Sequence, residues 1–497
     1  MKEINFQEIV AGQDFFSKII SLSKEKKQPI YLVGGFLRDL VLGRRREKLD
    51  FDFSVERDAI GFAHAFARAV KGGFVILDKE HGCARVVLGT TTFDFADFRG
   101  KDLREDLLHR DFTINALALP LPLKKNEAVA LYDYCGAQDD VKKKVIRMSS
   151  PGSFSEDYLR ILRAFSLSAQ LGFAIEKKTL SAAKKAKEHL LEVAGERVRE
   201  ELFKILDTHD SIRYITQLDD AGILSYVIPQ IELMRSLAQG PYHHLDVWGH
   251  SLETLRQFER LISGFDKDTQ GELCAYLDED ICSGRKRRQL IKLVCLLHDI
   301  GKPRAYEVKE GKTRFHGHER IGRDIADAIS DHLKFSTREK FAIDTMIYWH
   351  LRPGYLADNV TLSERAKFRY FRDAGEEAVS ILMLSIADQR ATRGPLASRT
   401  SREKHEKVSF ELMDEFFQKK KEKKFVRFID GNDLIRSLKL APSPLFKKVL
   451  DEVEEAQAVG KITNKKEALE LARAIAAKGA GKNTMKAKIA AKGKVKS

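Results

Sequence analysis

The 497-residue sequence predicts an α+β fold: a small mixed sheet with flanking helices at the N-terminus, then an all-α remainder. Two patterns carry this reading. Short strand-like runs at residues 31–33, 49–55, 74–77, 84–88 and 91–98 alternate with helical segments, whereas from about residue 216 the apolar spacing is helical throughout. A chain of this length divides into two to four domains.

The first strand, Tyr31-Leu32-Val33, stops at Gly34-Gly35, where a backbone without side chains lets a phosphate come close. A helix predicted from Phe36 to about Leu42, ended by Gly43, turns its N-terminal N–H groups toward the same place. After a basic loop, Arg44 to Lys48, the strand Leu49 to Val55 carries Asp50 and Asp52 on one face and Phe51 and Phe53 on the other. Two neighbouring carboxylates repel, and a divalent cation with oxygen ligands, Mg²⁺ first among them, neutralises them and bridges nucleotide phosphates. The chemistry suggested is phosphoryl or nucleotidyl transfer. A solvated strand face is the bland alternative for any Asp-x-Asp, and a P-loop is excluded because no Gly-Lys-Ser/Thr follows these glycines.

Around this stretch, an amphipathic helix from Phe6 to Leu22 serves packing, and a helix from Ala59 to Val70 is closed by Gly72-Gly73. In the strand 91–98, Asp94 shares a face with Ala96 and is the expected third carboxylate, there to hold a second metal or accept a proton; Asp97 competes for that role. The start, MKEINFQEIV, lacks a signal peptide's basic and apolar regions, and no run of 18 apolar residues occurs, so a soluble, cytoplasmic protein with no membrane partner is expected. Five scattered cysteines without a CxxC pair indicate neither disulfides nor a zinc cluster. A net charge of +14 suits a polyanionic partner, although half of it lies in the seven lysines of a low-complexity tail, residues 475–497, expected to be disordered.

Gly34-Gly35-Phe36-Leu37-Arg38-Asp39 followed by Asp50-Phe51-Asp52 resembles the signature of class II tRNA nucleotidyltransferases and bacterial poly(A) polymerases. The resemblance implies that Asp50 and Asp52 are catalytic ligands of Mg²⁺ and that Gly34, Gly35 and Arg38 hold a triphosphate. His109-Arg110-Asp111-Phe112-Thr113-Ile114-Asn115-Ala116 is similar to the second family signature, Arg-Arg-Asp-Phe-Thr-x-Asn-Ala, and brings Arg110 and Asn115 to the triphosphate and sugar. His109 replaces its first arginine, so that contact does not carry over; a helix start capped by Asp111 is equally compatible. Asp157 and Arg160, three apart in an apolar-periodic helix, share a face, as an intrahelical ion pair or as a complement to the Watson–Crick edge of a base. Glu156-Asp157-x-x-Arg160 resembles the family's nucleotide-selection signature, which implies the second role and places Arg163 in the same nucleotide-binding stretch. Glu196 to Leu202 resembles the neck helix that follows.

Only six residues, Gly100 to Glu105, separate Arg99 from Asp106, where complete CCA-adding members carry a longer flexible loop. The resemblance implies that enzymes lacking it tend to stop after CC.

Further on, His250, His298-Asp299, His316 and His318, His350 and Asp388 stand on successive predicted helices in an order that resembles the HD phosphohydrolase superfamily. A metal site of His250, His298, Asp299 and Asp388 is expected, with His318 and His350 holding a second ion; the donor set suits Mg²⁺, Mn²⁺, Ni²⁺ or Fe. The domains read as 1–150, a nucleotidyltransferase head; 151–244, a helical neck for nucleotide selection and RNA binding; 245–395, an HD-type helical domain; 396–474, a helical C-terminal RNA-binding region; and 475–497, the tail. Residues 395–424 are expected to be a linker or exposed helix. The expected function is template-independent addition of C and A from CTP and ATP to the tRNA 3′ end. CC-only or A-only addition, polyadenylation and RNA-end phosphohydrolysis are the alternatives, and nothing in the sequence fixes an oligomeric state.

Overall fold

The computed structural model describes residues 14–44, 49–122, 131–359, 361–422, 426–441 and 443–478. Most of the basic loop, residues 45–48, and the lysine tail from residue 479 lie outside them, as does the first part of the Phe6–Leu22 helix. The chain divides into two compact units, one formed by residues up to Pro229 with His332–Lys334, the other by the rest.

In the first unit, helix α1 (Asp14–Glu25) leads into strand β1 (Ile30–Val33), helix α2 (Gly35–Val41), β2 (Asp50–Val55) and α3 (Ala59–Val70). Strands β3 (Gly73–Asp78), β4 (Cys83–Leu88) and β5 (Thr91–Asp97) follow, then α4 (Leu103–Leu108) and β6 (Ala118–Leu121). The sheet order is β3-β4-β5-β2-β1-β6, mixed because β2 and β5 run parallel while the other neighbours are antiparallel. Alternation puts Phe51 and Phe53 of β2 and Phe93 and Phe95 of β5 on one face, where they stack in pairs 5.5 and 5.0 Å apart. Phe16 of α1 and Phe62 and Phe66 of α3 close over them, and all seven rings are buried. The same alternation turns the acids of β2 and β5 to the opposite face. Helices α5 (Ser153–Glu156), α6 (Arg160–Leu171) and α7 (Gly195–Leu206) form much of the helical remainder of this unit.

The second unit is helical as expected except for two hairpins, Asp280–Cys282 with Arg285–Lys286 and Glu307–Lys309 with Lys312–Arg314, whose turns hold glycines at positive φ, Gly284 and Gly311. Its main helices are α8 (Val247–Ser263), α9 (Arg287–Leu297), α10 (His318–His332), α11 (Thr337–Trp349), α12 (Ala378–Ala391) and α13 (Arg399–Lys421). Ten consecutive residues of α12, Ala378–Ala387, are buried, the mark of a helix enclosed on every side. Of residues 395–424, read as a linker or exposed helix, 399–421 form helix α13, which buries His405, Leu412, Met413 and Phe417; 423 and 424 lie outside the described residues. Helices α14 (Gly431–Leu438) and α15 (Pro444–Ala458) build a separate small core around Leu434, Val449 and Val453.

Because Phe95 is fully buried against three other rings, Phe95→Ala should lower the unfolding free energy of the first unit by about 3–5 kcal/mol. A urea melt with an unshifted midpoint would contradict this packing.

Candidate active site and metal centre

Strand β1 ends directly beside β2, with Val33 opposite Asp52. Gly34 then turns the chain at φ 81°, and a Cβ there would lie 2.7 Å from Asp52 Oδ2. Only glycine allows both the turn and the carboxylate. Asp52 pairs in register with Asp94 on the parallel strand β5. All three acids, Asp50, Asp52 and Asp94, line one cavity of about 820 Å³ together with Gly34, Gly35 and Arg110.

Each acid has its own setting. Asp50 accepts a hydrogen bond from the Thr92 hydroxyl. Both oxygens of Asp94 are taken by the guanidinium of Arg85, at 2.7 Å each, a partner that period-two spacing on β4 and β5 could have supplied but sequence reading passed over. The competitor Asp97 accepts from the Ala59 N–H at 2.7 Å and so anchors the start of α3. Burial pushes the Asp52 carboxyl up to about 6; Arg110 opposes the rise, while Asp50 and Asp94 add to it. A cluster of oxygen donors on one face of adjacent strands fits a hard divalent cation.

The family-like polar residues form two chains of bonds. Arg110 donates to Ser54 Oγ at 2.8 Å, and Ser54 donates to Asp106 Oδ2 at 2.8 Å. Asp106 also accepts from the Arg99 N–H at 3.1 Å. Arg38 donates to Asn115 Oδ1 at 2.6 Å, Asn115 donates to Asp111 Oδ1 at 3.0 Å, and Arg163 Nε lies 3.0 Å from Asp111 Oδ2. Asp111 therefore caps no α-helix. It precedes a single 3₁₀ turn, Thr113–Asn115, and orders the buried Arg38 and Asn115.

Asp157 and Arg160 do not share a helical face. Asp157 is extended (φ −159°, ψ 106°), and its Oδ1 accepts from the Leu159 N–H at 3.2 Å, a local turn that separates α5 from α6. Its Oδ2 meets Arg197 of α7 at 2.8 Å. The Arg160 guanidinium is buried and donates to Ser153 O, Ser153 Oγ, Glu156 Oε2 and His109 O. Both residues nevertheless line the cavity with Arg163. His109, in place of the family arginine, holds Glu156 at 2.8 Å.

In the second unit, five elements bring six expected ligands together. His250 lies on the first turns of α8, capped by Asp246; His298 and Asp299 follow α9; His318 starts α10; His350 follows α11; Asp388 is on α12. His250 Nε2 lies 2.8 Å from Asp388 Oδ1, and His298 Nε2 3.2 Å from Asp299 Oδ2. His318 and His350 lie 3.3 and 3.8 Å from Asp299 Oδ1. The donors thus form two half-sites, His250-His298-Asp299 and Asp299-His318-His350, that share Asp299. His316 is exposed and takes no part.

The imidazoles are aimed by their other nitrogens. Nδ1 of His298, His318 and His350 faces the carbonyl three residues back, Cys295, Phe315 and Ile347, at 3.0, 2.8 and 2.6 Å, which turns each Nε2 toward Asp299, with those of His318 and His350 3.3 Å apart. His298 Nε2 is buried without a hydrogen-bond partner among the described residues. Burial, with His318 and His298 adding to it, pushes His350 down to about 3, so its ring is neutral as a ligand must be. Gly301 admits the start of α10, since a Cβ there would run into His318 O and the Gly322 backbone. Sequence reading also passed over Lys302, whose ammonium lies 2.6 Å from Asp299 Oδ2 and 2.7 Å from Gln239 Oε1, although its i+3 spacing from Asp299 was visible.

The mixed sheet, the glycine turn and the paired carboxylates define the class, a nucleotidyltransferase. Family models match in the same order: the Poly A polymerase head domain over residues 30–147, the RNA and SrmB-binding site of polymerase A over 172–234, the HD domain over 247–392 and tRNA nucleotidyltransferase domain 2 over 397–472. The A-adding tRNA nucleotidyltransferase of Deinococcus radiodurans is 31% identical over 447 residues, 88% of this chain and 93% of that protein. The CC-adding tRNA nucleotidyltransferase of Thermus thermophilus is 29% identical over 444 residues, 88% and 91% of the two chains. The chain belongs to the tRNA nucleotidyltransferase family. Its fold is also that of the Thermotoga maritima CCA-adding enzyme complexed with tRNA (TM-score 0.57, 24% identity, 92% of this chain and 95% of that one). A CCA-adding enzyme solved with CTP gives a TM-score of 0.60 at 21% identity, covering 94% and 97%. Among the described residues no helix is long and apolar enough to cross a membrane.

With its carboxyl near 6, Asp52 is partly protonated at pH 6 and must ionise to take a cation, so Mg²⁺ affinity should fall as pH drops through 6. Calorimetry in buffers of different ionisation heat should show proton release on Mg²⁺ binding at pH 6 and little at pH 8. Equal release at both, or none in either, would contradict the placement of Asp52.

Proposed function

We propose that this chain builds the CCA end of tRNA as a cytoplasmic enzyme, and that its own share is the two cytidines, taken from CTP. The carrying observation is the connection between β5 and α4. It spans only Phe98–Asp102, and Asp102 already caps α4 by accepting from the Glu105 N–H at 2.9 Å. The longer loop that complete CCA-adding members carry here, and that the resemblance ties to the change from CTP to ATP, has no counterpart. Addition of all three nucleotides from CTP and ATP is the second reading, favoured by the solved neighbours, which are named CCA-adding enzymes.

In this reading the RNA 3′-hydroxyl attacks the α-phosphate of the nucleotide, a phosphodiester forms and pyrophosphate leaves. Asp50 and Asp52 would hold Mg²⁺, which when bound stabilises the charge developing on the entering and leaving oxygens. Asp94, steadied by Arg85, completes the carboxylate set. Gly34, Gly35, Arg38, Arg110 and Asn115 serve the triphosphate and sugar, and Asp157, Arg160 and Arg163 serve the base. The head is assigned to residues 1–150, the neck to 151–244, the HD domain to 245–395 and a tRNA-holding region to 396–474.

For the HD centre we propose phosphoester hydrolysis at RNA ends with Mn²⁺, Ni²⁺, Fe or Mg²⁺; the two half-sites sharing Asp299 support it, since a bound metal supplies a water of lowered pKa.

Incubated with tRNA lacking its CCA end, the protein should add two residues with CTP, whether or not ATP is present, and Asp50→Ala/Asp52→Ala should lower the rate by about 10³ or more. A third residue with both nucleotides would favour complete CCA addition, long adenylate tails on unstructured RNA a poly(A) polymerase, and full activity of the double variant would refute the site. His298→Ala should lose bound transition metal and phosphatase activity; equal metal content and activity would refute the HD reading.

A further inference from the structure

Beside the HD centre the second unit carries a basic cavity that neither signature accounts for. The mouth of the centre, a cavity of about 380 Å³, is lined by Asp299, Lys302, His350 and Asp388 and, further out, by Gln389, Ser401 and Arg402. A second cavity of about 470 Å³ is lined by Arg390, Arg393, Arg399 and Arg402 with Glu403 and Glu406. Arg402 and Ala397 line both, so the two cavities adjoin.

The four arginines are not equivalent. Arg390 is paired to Glu406 and Arg399 to Glu403. Arg393 and Arg402 have no carboxylate partner among the described residues: Arg393 Nε donates to Arg390 O at 3.1 Å, and Arg402 donates one bond to Thr392 O at 3.2 Å. The wall that carries them is fixed in place. Gly394 donates to Tyr242 O at 2.7 Å and Leu396 to Pro241 O at 3.2 Å, and a Cβ at Gly394 would collide with that same backbone. Two guanidiniums with spare forked donors therefore stand beside the metal centre, Arg402 lining both cavities and Arg393 the second. Guanidinium forks match phosphate oxygens, and polar Gln389 and Ser401, which line the mouth together with the metal donors and Arg402, suit a sugar.

We propose that Arg402 and Arg393 form a phosphate-binding subsite of the HD centre, so that the centre takes the end of an RNA strand, with the internucleotide phosphate on the arginines, in preference to a mononucleotide. This rests on the HD centre acting on RNA ends, as put forward above.

The test uses the full chain loaded with Mn²⁺, its head saturated with a non-hydrolysable CTP analogue. Calorimetry compares a dinucleotide bearing a 3′-phosphate with the corresponding 3′-mononucleotide. Wild type should bind the dinucleotide at least about tenfold more tightly, and Arg393→Glu and Arg402→Glu should each remove most of that advantage while leaving mononucleotide binding within twofold. Equal binding of the two ligands by wild type, or an advantage that survives both reversals, would overturn the subsite. So would a rise in KM for tRNA in CTP incorporation without a change in dinucleotide binding, which would assign the arginines to the tRNA body. Arg393 is exposed, so its variant is read without a folding defect. Should the binding pattern hold while a dinucleotide 2′,3′-cyclic phosphate is not hydrolysed, the subsite stands and the hydrolytic reading fails.

Discussion

The close approach of Asp52 to the backbone at Gly34 is the constraint on which the first unit turns. The pairing of β1 with β2 sets Val33 against Asp52, and the next residue must turn at positive φ within van der Waals reach of the carboxylate. Glycine satisfies both demands. The same approach brings the N-terminus of α2 and an acid cluster to one cavity, where the helix end attracts anions and the acids repel them. A cation between acid and phosphate would reconcile the two, and burial, with Asp50 and Asp94 adding to it, raises the Asp52 carboxyl to about 6.

Much of this was legible because it follows from period. Phe51 and Phe53 alternate with Asp50 and Asp52, so packing of one pair in the core turns the other to the cavity face, and Ala59–Val70 was bounded to the residue by its apolar spacing and glycine stop. Tertiary partners were less legible. Arg85 reaches Asp94 because β4 and β5 align the two: period two gives the face of each, but the pairing itself is set by the register between the strands. Asp157 failed for another reason: spacing by three implies one face only inside an unbroken helix, and the aspartate itself breaks the helix by bonding to the Leu159 N–H. The residue chosen as half of a pair was the residue that separated it.

In the helical unit the ligand order was readable and the geometry was not. Each imidazole is oriented by a carbonyl three positions earlier, so the helix ends act as ring holders. Asp299 serves both half-sites because Gly301, two residues on, lets α10 come near enough for His318 to reach it. Gly301 and Gly394, to which sequence reading assigned no role, both act by omitting a Cβ where two backbones touch.

The short connection before α4 is structurally separate from the carboxylates. Asp102 caps the helix, and Asp106, one turn on, binds Ser54 of β2 and the Arg99 N–H. The helix is therefore tied to the strand that carries Asp50 and Asp52, whatever precedes its cap. Residues inserted between Phe98 and Asp102 would bulge outward, free to act on the bound base, while cap, Asp106 and the acid strand kept their places. Loss of such an insertion costs nothing in the core. A family that divides CC and A addition between separate enzymes could thus do so by loop length alone, on a head whose metal-binding strand is insulated from the change.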